Sequence, residues 1–299
     1  MATKKKITFV GAGNVGSQAA FLAAAKGLGD IVLIDIVENV VKGKALDILQ
    51  ATAPLGKDVS IIGTTDYTMT KDSDIVVITA GVPRKPGMSR EDLYTINAKI
   101  IEEVIANVVK HSAQCILIIV TNPLDKMVEL AFKKSAFAKQ RVLGMTGALD
   151  TARFKVCIAS QLKVPVSSIA TFVIGSHGDA MLPLVSQTTV KGMPLSKLLS
   201  QEKIADLVEK TKHGGAEIVN LLNTSAYYAP GAAIIEMVES ILLDKKKTIA
   251  CHAYLQGEYG LQGVFTGVPC VLGAKGVEKI IELPLTKEEQ QSFHATVRD

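Results

Sequence analysis

Ile7-Thr8-Phe9-Val10-Gly11-Ala12-Gly13-Asn14-Val15-Gly16 decides the fold of this chain. A short β-branched and aromatic run passes directly into glycines spaced Gly-x-Gly-x-x-Gly, and these open the alanine-rich stretch Val15 to Lys26, which has helix-forming composition. Strand, tight turn and helix form the context in which this fingerprint binds a dinucleotide. Gly11 allows the turn, Gly13 lets the backbone approach a pyrophosphate, and Gly16 permits close helix packing. The helix N-terminus supplies unpaired N–H groups and a positive dipole end, with Ala12, Asn14 and Val15 completing the loop. Asp35 ends the next apolar run, where a carboxylate accepts hydrogen bonds from ribose hydroxyls and repels a 2′-phosphate. Ile36 follows and offers no cation to that phosphate, so NAD is expected over NADP.

Outward from this unit the same alternation repeats. Ile7-Val10, Ile31-Asp35, Val59-Ile62, Asp74-Thr79, Cys115-Val120 and Arg141-Met145 are apolar enough to be strands covered on both faces. Val15 to Lys26, Val41 to Ala51, Arg90 to His111 and Leu124 to Lys134 carry apolar residues three and four apart, as amphipathic helices do. The pattern predicts an α/β fold, a doubly wound parallel Rossmann sheet over residues 1–145 with ligand at the carboxyl ends of its strands. From about residue 146 the alternation ends, and an α+β substrate domain over 146–299 is expected. Strands are predicted at Ile169-Ile174 and Leu184-Thr189, one helix near Asp150, and a last helix at Thr286, where Thr286 and Glu289 have capping-box spacing.

Composition narrows the function classes. The 299 residues are 48% apolar and carry a net charge of +4, enough to bury a large core. Basic residues are dispersed apart from Lys4-Lys5-Lys6 and Lys245-Lys246-Lys247, without aromatic interleaving, so no nucleic-acid partner is expected. Cys115, Cys157, Cys251 and Cys270 are far apart, which argues against a disulfide framework and a metal site. No apolar run reaches the roughly 20 residues of a membrane span, and no export signal is visible. A cytoplasmic protein that binds no metal and no membrane is the expectation.

The chemistry-bearing residues lie at element ends. Arg84-Lys85-Pro86-Gly87-Met88-Ser89-Arg90 places two guanidinium groups on a loop that runs into a helix, with Ser89 and Asp92 as its capping box. A guanidinium presents a planar fork that a carboxylate accepts in bidentate fashion. Two of them suggest a substrate with two carboxylates under a movable lid. Val120-Thr121-Asn122-Pro123 closes the fifth strand, Leu149-Asp150-Thr151-Ala152-Arg153 opens a helix, and Gly175-Ser176-His177-Gly178-Asp179 follows a strand. Any one of these has an ordinary structural explanation, but together they form a set behind a dinucleotide fingerprint.

That set resembles the lactate/malate dehydrogenase family over essentially the whole chain. The resemblance implies that His177 exchanges the proton of the substrate hydroxyl, that Asp150 orients its imidazole and stabilises the protonated form, and that Arg153 clamps one carboxylate. It implies that Arg90 polarises the carbonyl, that Asn122 contacts substrate and cofactor, and that a cis peptide precedes Pro123. Asn97 and the Val120–Asn122 backbone match further NAD contacts. Arg84 stands where lactate-specific members carry glutamine, and Ser225-Ala226 replace the Tyr-Thr of their methyl pocket. The implied activity is therefore reversible NAD-dependent oxidation of malate to oxaloacetate, in a homodimer or homotetramer. A lactate dehydrogenase is the nearest alternative, and a catalytically silent NAD-binding scaffold the alternative of another class.

Overall fold

The first half of the chain builds the predicted alternation almost element for element. In the computed structural model, which describes residues 4–83 and 88–297, it forms β1 (Lys6–Val10), α1 (Asn14–Lys26), β2 (Asp30–Ile34), α2 (Glu38–Thr52), β3 (Ile61–Thr64), β4 (Ile75–Ile78), α3 (Arg90–His111), β5 (Ile116–Ile119), α4 (Leu124–Ser135) and β6 (Val142–Gly144). These strands are parallel, in the order β6-β5-β4-β1-β2-β3. That is the doubly wound order of a dinucleotide-binding fold. β4 and β5 are buried along their full length, which explains why they read as uninterrupted β-branched runs.

The second half contains α5 (Gly147–Leu162), β7 (Ile169–Ala170), β8 (Val173–Ile174), β9 (Leu182–Pro183), β10 (Thr189–Val190), β11 (Met193–Pro194), α6 (Gln201–Leu222), α7 (Tyr228–Leu242), β12 (Lys247–Gln256), β13 (Gln262–Gly273), β14 (Gly276–Ile280) and α8 (Lys287–Thr296). Packing divides the chain into two units. One runs to Gly144 and also takes in Tyr227–Lys247 and Leu272–Glu278, and the other holds Met145–Ala226, Thr248–Val271 and the chain from Lys279. The chain thus returns to the first unit after residue 146. α7 lies against α1 there, and Gly231 permits the approach, since a Cβ at that position would fall 2.9 Å from Gln18 Cγ.

Two predicted strands are corrected. Ile169–Ile174 is not continuous: β7 pairs with β10 and β8 with β9, in separate sheets. At the break, the Thr171 and Thr188 hydroxyls bond to each other at 2.6 Å. Leu184–Thr189 is broken by a 3₁₀ turn over Val185–Gln187, because Leu184 O accepts from Gln187 N and from the Thr188 hydroxyl, which closes the backbone locally. The core of the second unit is Phe154 and Ile158 of α5 against Ile204 and Leu207 of α6, joined by Ile169, Val173 and Leu195.

Candidate active site

In the first unit the cofactor-type residues gather where β1, β2, β4 and β5 end. Gly11 turns with φ +103, and its N–H reaches Ile34 O at 2.8 Å. A Cβ there would lie 2.6 Å from Ala80 N, so only glycine makes this turn. Gly16 is equally constrained by space: its Cβ would fall 1.9 Å from Gly11 O. Gly13 is the N-cap of α1 and provides no side-chain cap, and a Cβ added to it would meet nothing within 4 Å. Ser17 N–H makes the first intrahelical bond, to Gly13 O (3.0 Å), and the amides of Asn14, Val15 and Gly16 before it are the donors that helix geometry leaves without an intrahelical acceptor. An open space faced by uncapped amides at a positive helix end fits a pyrophosphate, and the residues present suit NAD.

Asp35 immediately follows β2. Its Oδ2 accepts from Ala12 N (2.7 Å) and its Oδ1 from Val37 N (3.3 Å), so the carboxylate is tied to the glycine turn while keeping acceptor capacity. Burial first, then the Glu103 and Asp35 carboxylates, push the Tyr67 phenol above its usual range. Val120 N bonds Ile78 O at 2.9 Å, and the buried Thr121 hydroxyl donates to Ala80 O at 2.6 Å. The exposed Asn122 precedes Pro123 across a cis peptide. Asn97 is fully buried, and its side chain is used up on backbone: Nδ2 donates to Asn122 O (2.7 Å) and Val82 O (3.2 Å), and Oδ1 accepts from Val82 N (2.8 Å). It ties the segments after β4 and β5 together.

Arg84 lies outside the described residues, as does the side chain of Arg90. The backbone of Arg90 opens α3, and the capping box is present: Asp92 N donates to Ser89 Oγ and Ser89 N to Asp92 Oδ2, both at 3.0 Å.

In the second unit α5 begins at Gly147, earlier than expected, and Asp150 therefore sits in its first turn. Gly147 lies against β12, where its Cβ would come 2.7 Å from Ala250 Cβ, and this closeness buries the helix start. Asp150 and Arg153 are one turn apart and share a face. The Asp150 side chain is only 3% exposed, and each oxygen has its own partner: Oδ2 meets His177 Nδ1 at 2.8 Å and Oδ1 meets Arg153 Nη1 at 3.2 Å. A buried carboxylate persists when it is paired in this way and set near a helix N-terminus. A carboxylate only accepts, so Nδ1 carries the hydrogen and Nε2 is the imidazole's exchangeable position. Among the described residues the buried Arg153 Nε has no acceptor.

Several supports for this cluster escape sequence reading. Gly175, at φ +83, exchanges backbone bonds with Gly267 (2.8 and 3.2 Å), and Ser176 Oγ donates to Thr296 O at 2.7 Å, so strand β13 and the end of α8 anchor the His177 loop. Thr151 Oγ1 accepts from Val173 N at 2.9 Å and couples α5 to β8. The Arg153 guanidinium lies over Gly214 and Gly215 of α6, and a Cβ at Gly215 would be 3.4 Å from Nη2. Two adjacent glycines inside a helix-forming stretch were the available signal. Among the described residues there is no group of three His, Cys, Asp or Glu placed to hold a metal, and no helix long and apolar enough to cross a membrane.

Comparison with known proteins covers both units. Residues 5–144 match the lactate/malate dehydrogenase NAD binding domain, and residues 147–299 its alpha/beta C-terminal domain. The malate dehydrogenase of Geobacillus kaustophilus is 52% identical over 297 residues, 98% of this chain and 95% of the relative. Among solved structures, the malate dehydrogenase of Cryptosporidium parvum superposes with a TM-score of 0.95 at 41% identity, covering 98% of this chain and 96% of that one. The lactate dehydrogenase of the same organism, complexed with lactic acid and nicotinamide adenine dinucleotide, superposes at 0.96 with 39% identity, covering 99% and 95%.

Proposed function

The chain belongs to the lactate/malate dehydrogenase family and acts as an NAD-dependent malate dehydrogenase, and from that premise we propose how its residues divide the work. The observation that carries the reading is the sharing of Asp150 between His177 and Arg153. His177 takes the hydroxyl proton of malate at Nε2 and returns it to oxaloacetate in the reverse direction, while Asp150 holds the ring through Nδ1. Arg153 binds one carboxylate: Asp150 restrains Nη1, and the buried Nε still needs an acceptor. Arg90 stabilises charge developing on the carbonyl oxygen, and Arg84 binds the distal carboxylate; both roles rest on the family resemblance. Gly11, Ala12, Gly13, Asn14, Val15 and Gly16 hold the dinucleotide pyrophosphate, Asp35 its ribose, and the Val120–Asn122 segment with Asn97 behind it the remainder. Bound NAD supplies the hydride acceptor.

The enzyme works as a homodimer or homotetramer in the cytoplasm. Val40, Leu46 and Leu49 of α2 and Val219, Leu221 and Leu222 of α6 are exposed apolar side chains suited to self-association. Light scattering should give a mass at least twice that of the chain.

Overall shape does not separate malate from lactate, because both kinds of relative superpose equally well. The distal cation does. Arg84→Gln should lower kcat/KM for oxaloacetate by roughly two to three decades and leave pyruvate level or improved, since the second carboxylate loses its charged partner. An unchanged ratio between the two ketoacids would overturn the dicarboxylate reading.

A further inference from the structure

Lys44, on the α2 helix, reaches into the glycine turn: its Nζ donates to Ala12 O, which also accepts from the Ser17 hydroxyl at 2.9 Å. Among the described residues Lys44 makes no ion pair, although Asp47 lines the same crevice. An ammonium group held beside an uncapped helix N-terminus adds positive charge to positive potential. Such an arrangement favours an anion there.

The bonded atom matters as much as the charge. In a planar trans peptide the carbonyl and the following N–H point in opposite directions. Donors that hold Ala12 O therefore direct Gly13 N–H the other way. Gly13 itself does little to prevent this peptide from turning over, because glycine adopts φ of either sign at little cost. The N–H of Ala12 is meanwhile held by Asp35 Oδ2 at 2.7 Å. Lys44 also stands on a firm base, since α2 lies tight on β3 at Gly63, where a Cβ would fall 2.2 Å from Val41 O.

We propose that Lys44 is a positioning residue for the dinucleotide, fixing the Ala12–Gly13 peptide so that the Gly13 amide faces the pyrophosphate. The assignment rests on the NAD reading of the glycine turn. ADP-ribose is the probe, because it carries the pyrophosphate and lacks the nicotinamide. Lys44→Met should weaken ADP-ribose binding about tenfold, the size of a lost charge-assisted hydrogen bond, and Lys44→Gln, which keeps a donor, should weaken it less. Gly13→Ala is the control for the site itself: the helix-start φ of −66 accepts alanine, and the added Cβ enters the open space assigned to phosphate. Weakened binding in Gly13→Ala with parental affinity in both Lys44 variants would overturn the Lys44 assignment and leave the cofactor reading standing. Parental affinity in all three would overturn both.

Discussion

Around Gly13 the groups assigned to a ligand are backbone amides, whereas around Asp150 they are side chains. The first arrangement needs glycines and one turn of helix, all contiguous in sequence. The second joins α5, the loop after β8 and the interior of α6, with support from β13 and α8. Among substitutions only proline deletes a backbone donor, so all others there should act through space and conformation. Side-chain groups can be removed one at a time with the fold intact. The two regions should therefore fail differently.

The largest effect expected is at Asp150. Asp150→Asn keeps the shape but replaces one oxygen by an NH₂ donor, which favours the wrong imidazole tautomer and releases Arg153 Nη1 or His177. Turnover should fall by roughly two to four decades, the range seen when a carboxylate orienting a catalytic histidine is neutralised. Steady-state kinetics at saturating NADH checks this. Turnover within about threefold of the parent would mean that the buried carboxylate serves folding alone.

Gly16→Ala tests the other region. A Cβ placed 1.9 Å from Gly11 O demands backbone movement, and the cost should be about 3 kcal/mol of stability, read from denaturant unfolding. A thermodynamically neutral Gly16→Ala would remove the packing reason for that glycine.

Gly215 sharpens the contrast, because two effects of opposite sign are expected at one position. Alanine is the better helix former, so Gly215→Ala should raise stability by about 0.5–1 kcal/mol. The new Cβ presses on the Arg153 guanidinium, and KM for oxaloacetate should rise by roughly threefold to tenfold, about 1 kcal/mol of lost carboxylate binding. Gly214→Ala, with its nearest Arg153 atom at 3.7 Å, should give the helix gain with less of the penalty. If both variants left KM at the parental value, the α6 glycines would be unconnected with the substrate clamp.

The smallest effect concerns what the two regions share, a closed core. Burial pushes the Cys115 thiol at the start of β5 up to about 12 and raises that of Cys270 in β13, while Cys251 is also buried and Cys157 is only half-buried. In the native protein near pH 8 a thiol reagent should modify Cys157 alone at an appreciable rate, because the thiolate is the reactive form. Fast modification of Cys115 would mean that the first sheet opens at that end.

The same contrast explains what was legible in the sequence. The parallel strands, α3 and both capping boxes follow from neighbouring residues, so β-branched runs, glycine spacing and Ser89 with Asp92 or Thr286 with Glu289 suffice to place them. Asp150, Arg153 and His177 stand out as chemistry-bearing residues at element ends, whereas their roles and the cis peptide before Pro123 come from the family resemblance. Pairing across long separations was hidden. Nothing near Ile169 reveals that β7 and β8 join different sheets, and nothing near Gly231 reveals that α7 returns to α1. Leu184–Thr189 looked like a strand because its composition suits one, yet the Leu184 carbonyl is satisfied within the turn. Lys44 reads as an ordinary solvated helix residue until Ala12 O is seen beside it.

The separation of cofactor binding from proton transfer is tested most directly by His177→Asn, premixed with NADH and followed by stopped-flow absorbance after oxaloacetate is added. NADH affinity should stay within about threefold of the parent while NADH oxidation slows by roughly two to four decades, the loss expected when a general acid is removed. NADH oxidation at the parental rate, or NADH affinity lost in parallel with it, would contradict the assignment of His177 as the group that moves the proton.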